Sequence, residues 1–318
     1  MLPVIDFAAF GAGTATQKRH IGALIAAACR ETGFFMLANH GLDDKISDAA
    51  FAAAHDFFDL TAAEKGEIAI EKSPCHRGWY GPGGEVLDAV KQPQGDMKEG
   101  LKIGRDLPDT HILVQRGTPL HGPNQWPRQE GFKDTMMAAY AACETLSRQL
   151  MSAFALSLHL PETHFDAYLR LPMATLSPLR YPPHPSEAGL GAGAHTDFGC
   201  LTLLLQRDID GLEIQKPDGE WLRVPCDPSL IIVNIGDMMA RWTNNLYAST
   251  RHRVINRSRH TRHSMAFFFD PDADADLSPL PGCLAEGETP HYPTASCLEH
   301  LLMKIEASFT YRQETPNA

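Results

Sequence analysis

Apolar positions follow two rules along this chain. Up to about residue 170 they recur at helical spacing between short apolar runs, and from residue 173 they come in short blocks cut by turns. Ile21, Leu24, Ile25, Ala28 and Cys29 fall at i, i+3, i+4, i+7 and i+8, which predicts an amphipathic helix over 15–30. A strand-like LPVIDF (2–7) precedes it, and the Gly-bounded GFFMLANHG (33–41) reads as a second strand. A helix over 43–58 comes next, and Thr61 with Glu64 behind it predicts a further N-cap. Phe132, Met136, Ala139, Tyr140, Cys143, Leu146, Leu150 and Phe154 keep helical spacing across 129–158. Pro161 then opens a shorter helix to about Arg170. Between these, residues 73–128 are rich in Gly, Pro and aromatics. They read as a long irregular surface segment, the kind that is usually functional or mobile.

From 173 the pattern predicts strands: ATLSPLRYP, GAHTD, CLTLLLQ, GLEIQ, WLRVP, SLIIVNIGD, MARWTNN, RHRVIN and RHSMAFFFD. Turn residues such as Asp210-Gly211, Pro217-Asp218-Gly219 and Asn244-Asn245 separate them, and the spacing fits a sandwich or jelly roll. An acidic loop (270–282) and a last helix over about 296–308 close the chain. No repeat or linker divides it. Residues 1–130 read as a helical and irregular region packed on a core, and 131–318 as a helix plus the strand core with a C-terminal helix, all one compact α+β unit.

Composition narrows the function. The 318 residues are 43% hydrophobic and 21% charged, an ordinary globular balance with length for a large core. A net charge of −11 with no basic run argues against nucleic-acid or anionic-membrane binding. Seven cysteines with no C-x-x-C argue against a disulfide framework or a cysteine zinc site, and suit a reducing compartment. Lys18-Arg19-His20 followed by IGALIAAAC imitates a signal peptide, but the helical spacing is the better account. A cytoplasmic monomer acting on a small molecule is expected.

The candidate chemistry begins at His195-Thr196-Asp197, inside GAGAHTDFG (191–199). Residues two apart on a strand share a face. One more histidine would complete a two-His-one-carboxylate set with open metal positions. His252, His260 and His263 are the candidates. In RHSMAFFFD, period 2 separates Arg262, Ser264, Ala266 and Phe268 from His263, Met265 and Phe267. His260 lies in a polar turn. His252, on a strand whose Val254 shares its face, is chosen. Such a set suits Fe(II), with zinc as the chemical rival. Arg262 and Ser264 on one face form R-x-S, a guanidinium and a hydroxyl that together bind a carboxylate. A buried Arg without an anion is costly, so that face points to an acidic cosubstrate. Tyr181 could add its hydroxyl. Phe268 shares the Arg262 face and could wall a substrate pocket. Tyr80, Arg77 and Lys98 are loop candidates for substrate contact, though solvated surface is the plainer reading of each.

The order of these motifs resembles the isopenicillin N synthase-like family of non-haem Fe(II), 2-oxoglutarate-dependent dioxygenases. PVIDF, GFFMLANHGL (33–42), FFDLTAAEK (57–65), DMKEGLKIG (96–104) and GPNQWP (122–127) carry the likeness before the strand core. HTDFGCLTLL (195–204), NIGDMMARWTNN (234–245), HRV (252–254) and RHS (262–264) carry it inside. The resemblance implies a double-stranded β-helix (jelly-roll) core flanked by helices. It implies His195, Asp197 and His252 as iron ligands, and Arg262 and Ser264 as the hold on the far carboxylate of 2-oxoglutarate. The implied activity is O2-dependent hydroxylation, desaturation or ring closure of a small molecule with release of succinate and CO2, ascorbate supporting turnover. The presence of Asp197 argues against halogenation, where related enzymes carry a small residue. Two alternatives stay open: an iron oxidase of the family that works without 2-oxoglutarate, and a non-catalytic or zinc-binding relative.

Overall fold

The computed structural model describes residues 1–183 and 190–313. Its twelve described strands are β1 (Val4–Asp6), β2 (Phe34–Ala38), β3 (Gly78–Tyr80), β4 (Glu99–Gly104), β5 (Met173–Tyr181), β6 (Leu190–His195), β7 (Leu201–Gln206), β8 (Leu212–Gln215), β9 (Trp221–Arg223), β10 (Ile231–Ile235), β11 (His252–Ile255) and β12 (Arg262–Asp270). They form an eight-stranded sheet, β1-β2-β10-β7-β12-β5-β4-β3, and a four-stranded sheet, β6-β11-β8-β9. From β5 on, the chain passes back and forth between the sheets, as a jelly roll requires.

β12 shows how period 2 builds the two sides. Met265, Phe267 and Phe269 join the large core shared with the helices, together with Phe35 and Leu37 of β2, Leu201 and Leu203 of β7 and Val233 of β10. The helices Ala15–Glu31, Asp44–Phe58 and Phe132–Ser157 cover that face with Ile25, Phe57, Met136, Leu150 and Phe154. The alternate residues Ala266 and Phe268 face the space between the sheets, where Tyr80, Leu179, Tyr181, Ala192 and Val254 close one apolar cluster. Phe34, Met36, Leu212, Ile214 and Ile232 close another.

The predicted helices 15–30, 43–58 and 129–158 agree with the structure, and capping boxes at Thr14, Thr61 and Ser296 fix three helix starts. Three expectations need correction. Residues 73–128 are not all irregular surface, because β3 and β4 extend the large sheet and β4 is buried at every position. Its charged residues pass for loop in sequence because their partners lie far away. Glu99 binds Lys65 (2.8 Å), Arg180 (2.7 Å) and Trp79 Nε1 (2.8 Å), while Lys98, just before the strand, binds Asp96 (2.7 Å) and Glu85 (2.8 Å). The segment after Pro161 forms only a 3-10 turn, His164–Tyr168, whose Phe165 and Tyr168 pack on Trp242. MARWTNN is not a strand. Asp237–Trp242 is a helix that buries Met238, Met239 and Trp242, and Asn244 and Asn245 leave it at φ 50° and 67°.

Removing Glu99 would leave Lys65 buried without an acid and Arg180 with Asp59 alone. Glu99→Ala should destabilise the fold by about 3–5 kcal/mol in urea unfolding. A loss below about 1 kcal/mol would mean the cluster behaves like exposed surface pairs.

Candidate metal centre and substrate cavity

β6 and β11 pair antiparallel with His195 opposite His252, so two residues 57 positions apart bring their rings to 4.3 Å between centroids. Asp197 lies just past the end of β6, not on the strand as the H-x-D spacing suggests. The helix Asp237–Trp242 holds it there. Asp237 N–H donates to the Asp197 carbonyl (2.8 Å), and the Asp237 carboxylate accepts from Thr196 Oγ1 (3.1 Å) and Lys304 (2.6 Å). Asp197 Oδ1 then stands 3.7 Å from His195 Nε2 and 3.5 Å from His252 Nε2. Each residue has a donor atom within 4.8 Å of the others.

The surrounding hydrogen bonds leave the right atoms free. His195 Nδ1 meets the Gly193 carbonyl at 2.7 Å and His252 Nδ1 meets the Thr250 carbonyl at 3.1 Å. A carbonyl can only accept, so both protons sit on Nδ1 and both Nε2 lone pairs point to the centre. Asp197 Oδ2 accepts from Thr202 Oγ1 and Asn234 Nδ2, both at 2.6 Å, which leaves Oδ1 for a metal. Burial opposes ionisation of Asp197, but His252 and these hydrogen bonds outweigh it and hold the carboxyl well below its usual range. Burial and the neighbouring His252 push His195 down to about 3, so it is a neutral ligand. Thr202 and Asn234 could not be identified in the sequence as orienting residues, since only the register β10–β7 sets them side by side. The donor set fits a divalent cation.

Arg262 and Ser264 lie side by side, as R-x-S predicts. Arg262 is 0% exposed; its guanidinium contacts Ser264 Oγ (3.4 Å), Gln206 Oε1 (2.7 Å) and the Ile209 carbonyl (3.3 Å). The Tyr181 ring lies 4.9 Å from its Cζ. Among the described residues no carboxylate pairs with it. A buried guanidinium met only by neutral groups fits the far carboxylate of a keto diacid. Gln206, which the motif reading missed, aims the guanidinium. His263 faces the opposite way, against His55 and Phe58, and His260 is exposed in its turn.

A cavity of about 180 Å³ opens beside His195, Asp197 and His252. Tyr181 and Phe268 line it, and so do Tyr80, Arg77 and Lys98, all buried rather than solvated. The sequence misplaced these three because it hid the pairing of β3 and β4. Asp270 also lines the cavity. It accepts from Cys200 N–H at 2.6 Å, and burial raises its carboxyl from 3.8 to about 7, with Asp197 adding to the rise.

That elevation has a sign. Between about pH 4 and 7 the folded protein keeps a proton that the unfolded chain has released, so stability from Asp270 is full below about pH 4 and lost as pH rises through about 7. Asp270→Asn should therefore stabilise the metal-free protein at pH 8 and leave it unchanged at pH 4, read by urea unfolding at both. An equal effect at the two values would show that Asp270 does not titrate this way.

Comparison with known proteins places this arrangement. Residues 2–129 match the family described as non-haem dioxygenase in morphine synthesis N-terminal, and residues 168–271 match the 2OG-Fe(II) oxygenase superfamily. The 2-oxoglutarate-Fe(II) type oxidoreductase hxnY of Emericella nidulans is 35% identical over 300 residues, covering 92% of this chain and 85% of that one. The 2-oxoglutarate-dependent dioxygenase caaD of Aspergillus niger is 33% identical over 296 residues, covering 91% and 89%. Among solved structures, a full-length Neurospora crassa protein in complex with alpha-KG and thymine superposes with a TM-score of 0.85 at 28% identity, over 96% of each chain. A 2OG-Fe(II) oxygenase family protein of Caulobacter crescentus gives 0.84 at 30% identity, over 96% of this chain and 99% of that one. With the fold, the His-Asp-His triad and both family regions in agreement, this chain belongs to the isopenicillin N synthase-like branch of the Fe(II)- and 2-oxoglutarate-dependent dioxygenases.

Proposed function

We propose that the enzyme hydroxylates, desaturates or cyclises a small molecule held in the cavity beside the triad, with His195, Asp197 and His252 as the Fe(II) ligands and Arg262, Ser264 and Tyr181 as the hold on 2-oxoglutarate. The observation that carries this reading is the pairing of three free ligand atoms with a buried guanidinium that has no acid. When bound, iron would let O2 act as the oxidant with the keto acid as its two-electron reductant, and succinate and CO2 would leave. The chain's own part is placement. Gly193 and Thr250 carbonyls fix the two imidazole tautomers, and Thr202 with Asn234 fixes the carboxylate. Gln206 and Ser264 aim Arg262, so the far carboxylate of the cosubstrate meets a preset donor pair. Apolar walls from Leu204, Phe268, Val254 and Ile305 keep water from competing for the site.

The direct test is conversion of 2-oxoglutarate to succinate by the iron-loaded protein with ascorbate and O2. Slow decay of the keto acid without any further substrate is expected, and a folded, iron-loaded sample that leaves it untouched counts against the reading. Asp197→Ala should abolish that turnover, whereas retained activity would remove Asp197 from the ligand set. Arg262→Leu should weaken 2-oxoglutarate binding by roughly 10²-fold, the scale of a lost charge-assisted pair. Its melting temperature should hold, because an acid-free buried cation contributes little to the fold. Unchanged cosubstrate affinity in Arg262→Leu would overturn the clamp.

A further inference from the structure

With Arg262 assigned to the cosubstrate, the cavity still contains a second buried cation without an acid. Lys102 lies on β4, is 9% exposed and lines the cavity. Its ammonium stands over three rings, Phe268 at 5.1 Å, Tyr80 at 5.6 Å and Phe309 at 5.7 Å. Among the described residues no carboxylate lies within ion-pair distance of it. Glu85 attracts it from farther away but is already bound by Lys98, which also holds Asp96. Aromatic faces offset only part of the cost of burying an ammonium, and the rest is left uncompensated.

The neighbours of Lys102 point the same way. The β4–β5 register runs from Gly100↔Leu179 to Ile103↔Leu176, which sets Lys102 across from Ser177. Ser177 is 0% exposed, lines the cavity, and its Oγ has no hydrogen-bond partner. Arg77, also a lining residue, spends its terminal nitrogens on the carbonyls of Cys75, His76 and Leu120, all neutral, and its Nε has no partner. On either side of Lys102 the strand carries glycine. A Cβ at Gly100 would meet the Tyr80 hydroxyl at 2.5 Å, and one at Gly104 would meet the Arg77 guanidinium at 2.1 Å. The sequence Gly100-x-Lys102-x-Gly104 thus clears one strand face so that a single ammonium projects between an aromatic ring and a guanidinium.

We propose that the prime substrate of this enzyme is a carboxylic acid whose carboxylate is bound by Lys102 and Ser177, with Arg77 adding positive charge. This rests on the reading above, in which Arg262 is taken by 2-oxoglutarate. The apolar side chains Phe198, Leu171, Leu301 and Ile305 also line the cavity and suit an apolar body. The substrate is therefore an apolar acid, held by its charged end against β4 and presenting its carbon skeleton to the triad.

The test uses Mn(II)-loaded full-length protein saturated with 2-oxoglutarate, titrated calorimetrically with matched pairs: benzoate and benzamide, phenylacetate and phenylacetamide, cinnamate and cinnamamide. At least one acid should bind roughly tenfold or more tightly than its amide, the scale of one charge-assisted hydrogen bond. Lys102→Met should erase that preference, Lys102→Arg should keep it, and Ser177→Ala should reduce it. The 2-oxoglutarate affinity of all three variants should stay within about threefold of the parent. Absence of acid preference across the whole panel, or its survival in Lys102→Met, overturns the proposal. Loss of 2-oxoglutarate affinity in Lys102→Met would assign Lys102 to the cosubstrate and overturn it equally. If Lys102→Met does not fold, Ser177→Ala with an unchanged acid preference still refutes the site. Failure of the parent protein to bind 2-oxoglutarate at all is a different result and removes the reading on which the proposal rests.

Discussion

A charge sealed between two sheets must find a partner, and that constraint organises this molecule. Removing an ion from water costs several kcal/mol unless an opposite charge or hydrogen bonds replace the lost solvent. Most of the buried charges here obey inside the protein. Glu99 gathers Lys65 and Arg180, Lys98 sits between Glu85 and Asp96, and Glu213 binds Arg253 and Arg257. Asp197, Arg262 and Lys102 lack a permanently charged partner and face the space between the sheets or border it. In the readings proposed above they are halves of interactions completed by a metal, a keto diacid and a substrate.

The jelly roll suits this arrangement because its strands supply two faces of opposite character. Outward residues of the large sheet pack against helices and provide the hydrophobic stabilisation. Inward residues are then free to be polar. Rows across the large sheet give Phe268 with Thr175 and Thr202, then Ala266 with Ser177 and Leu204, then Ser264 with Leu179 and Gln206. Each row brings groups from strands far apart in sequence to one depth. Thr202 reaches Asp197 and Gln206 reaches Arg262 by this registration, and β4 adds Lys102 at the depth of Ser177. The helix Asp237–Trp242 has a comparable role, since the loop carrying Asp197 depends on its first turn.

Much of this was legible in the chain alone. Helical spacing predicted the long helices, and period 2 separated Arg262, Ser264 and Phe268 from His263 and Met265. The H-x-D, distant His and R-x-S motifs were readable because ligand type and spacing are local properties, and the order of motifs named the family. The errors share one cause. β4 looked irregular because its lysine and glutamate are polar, and the partners of Glu99, Lys65 and Arg180, lie on other elements. MARWTNN looked like a strand because β-forming residues outweighed an acidic first turn whose contacts, Ser249 and Lys304, were not visible.

The sequence by itself determined which residues could bind iron and an acid, since those are properties of side-chain chemistry and short-range periodicity. Only the tertiary structure decided which polar residues remained without partners. Partnership is a long-range property: Lys98 and Lys102 are alike in sequence, four residues apart along one stretch of chain. Folding gives the first two carboxylates and gives the second three aromatic rings and no acid within ion-pair distance among the described residues.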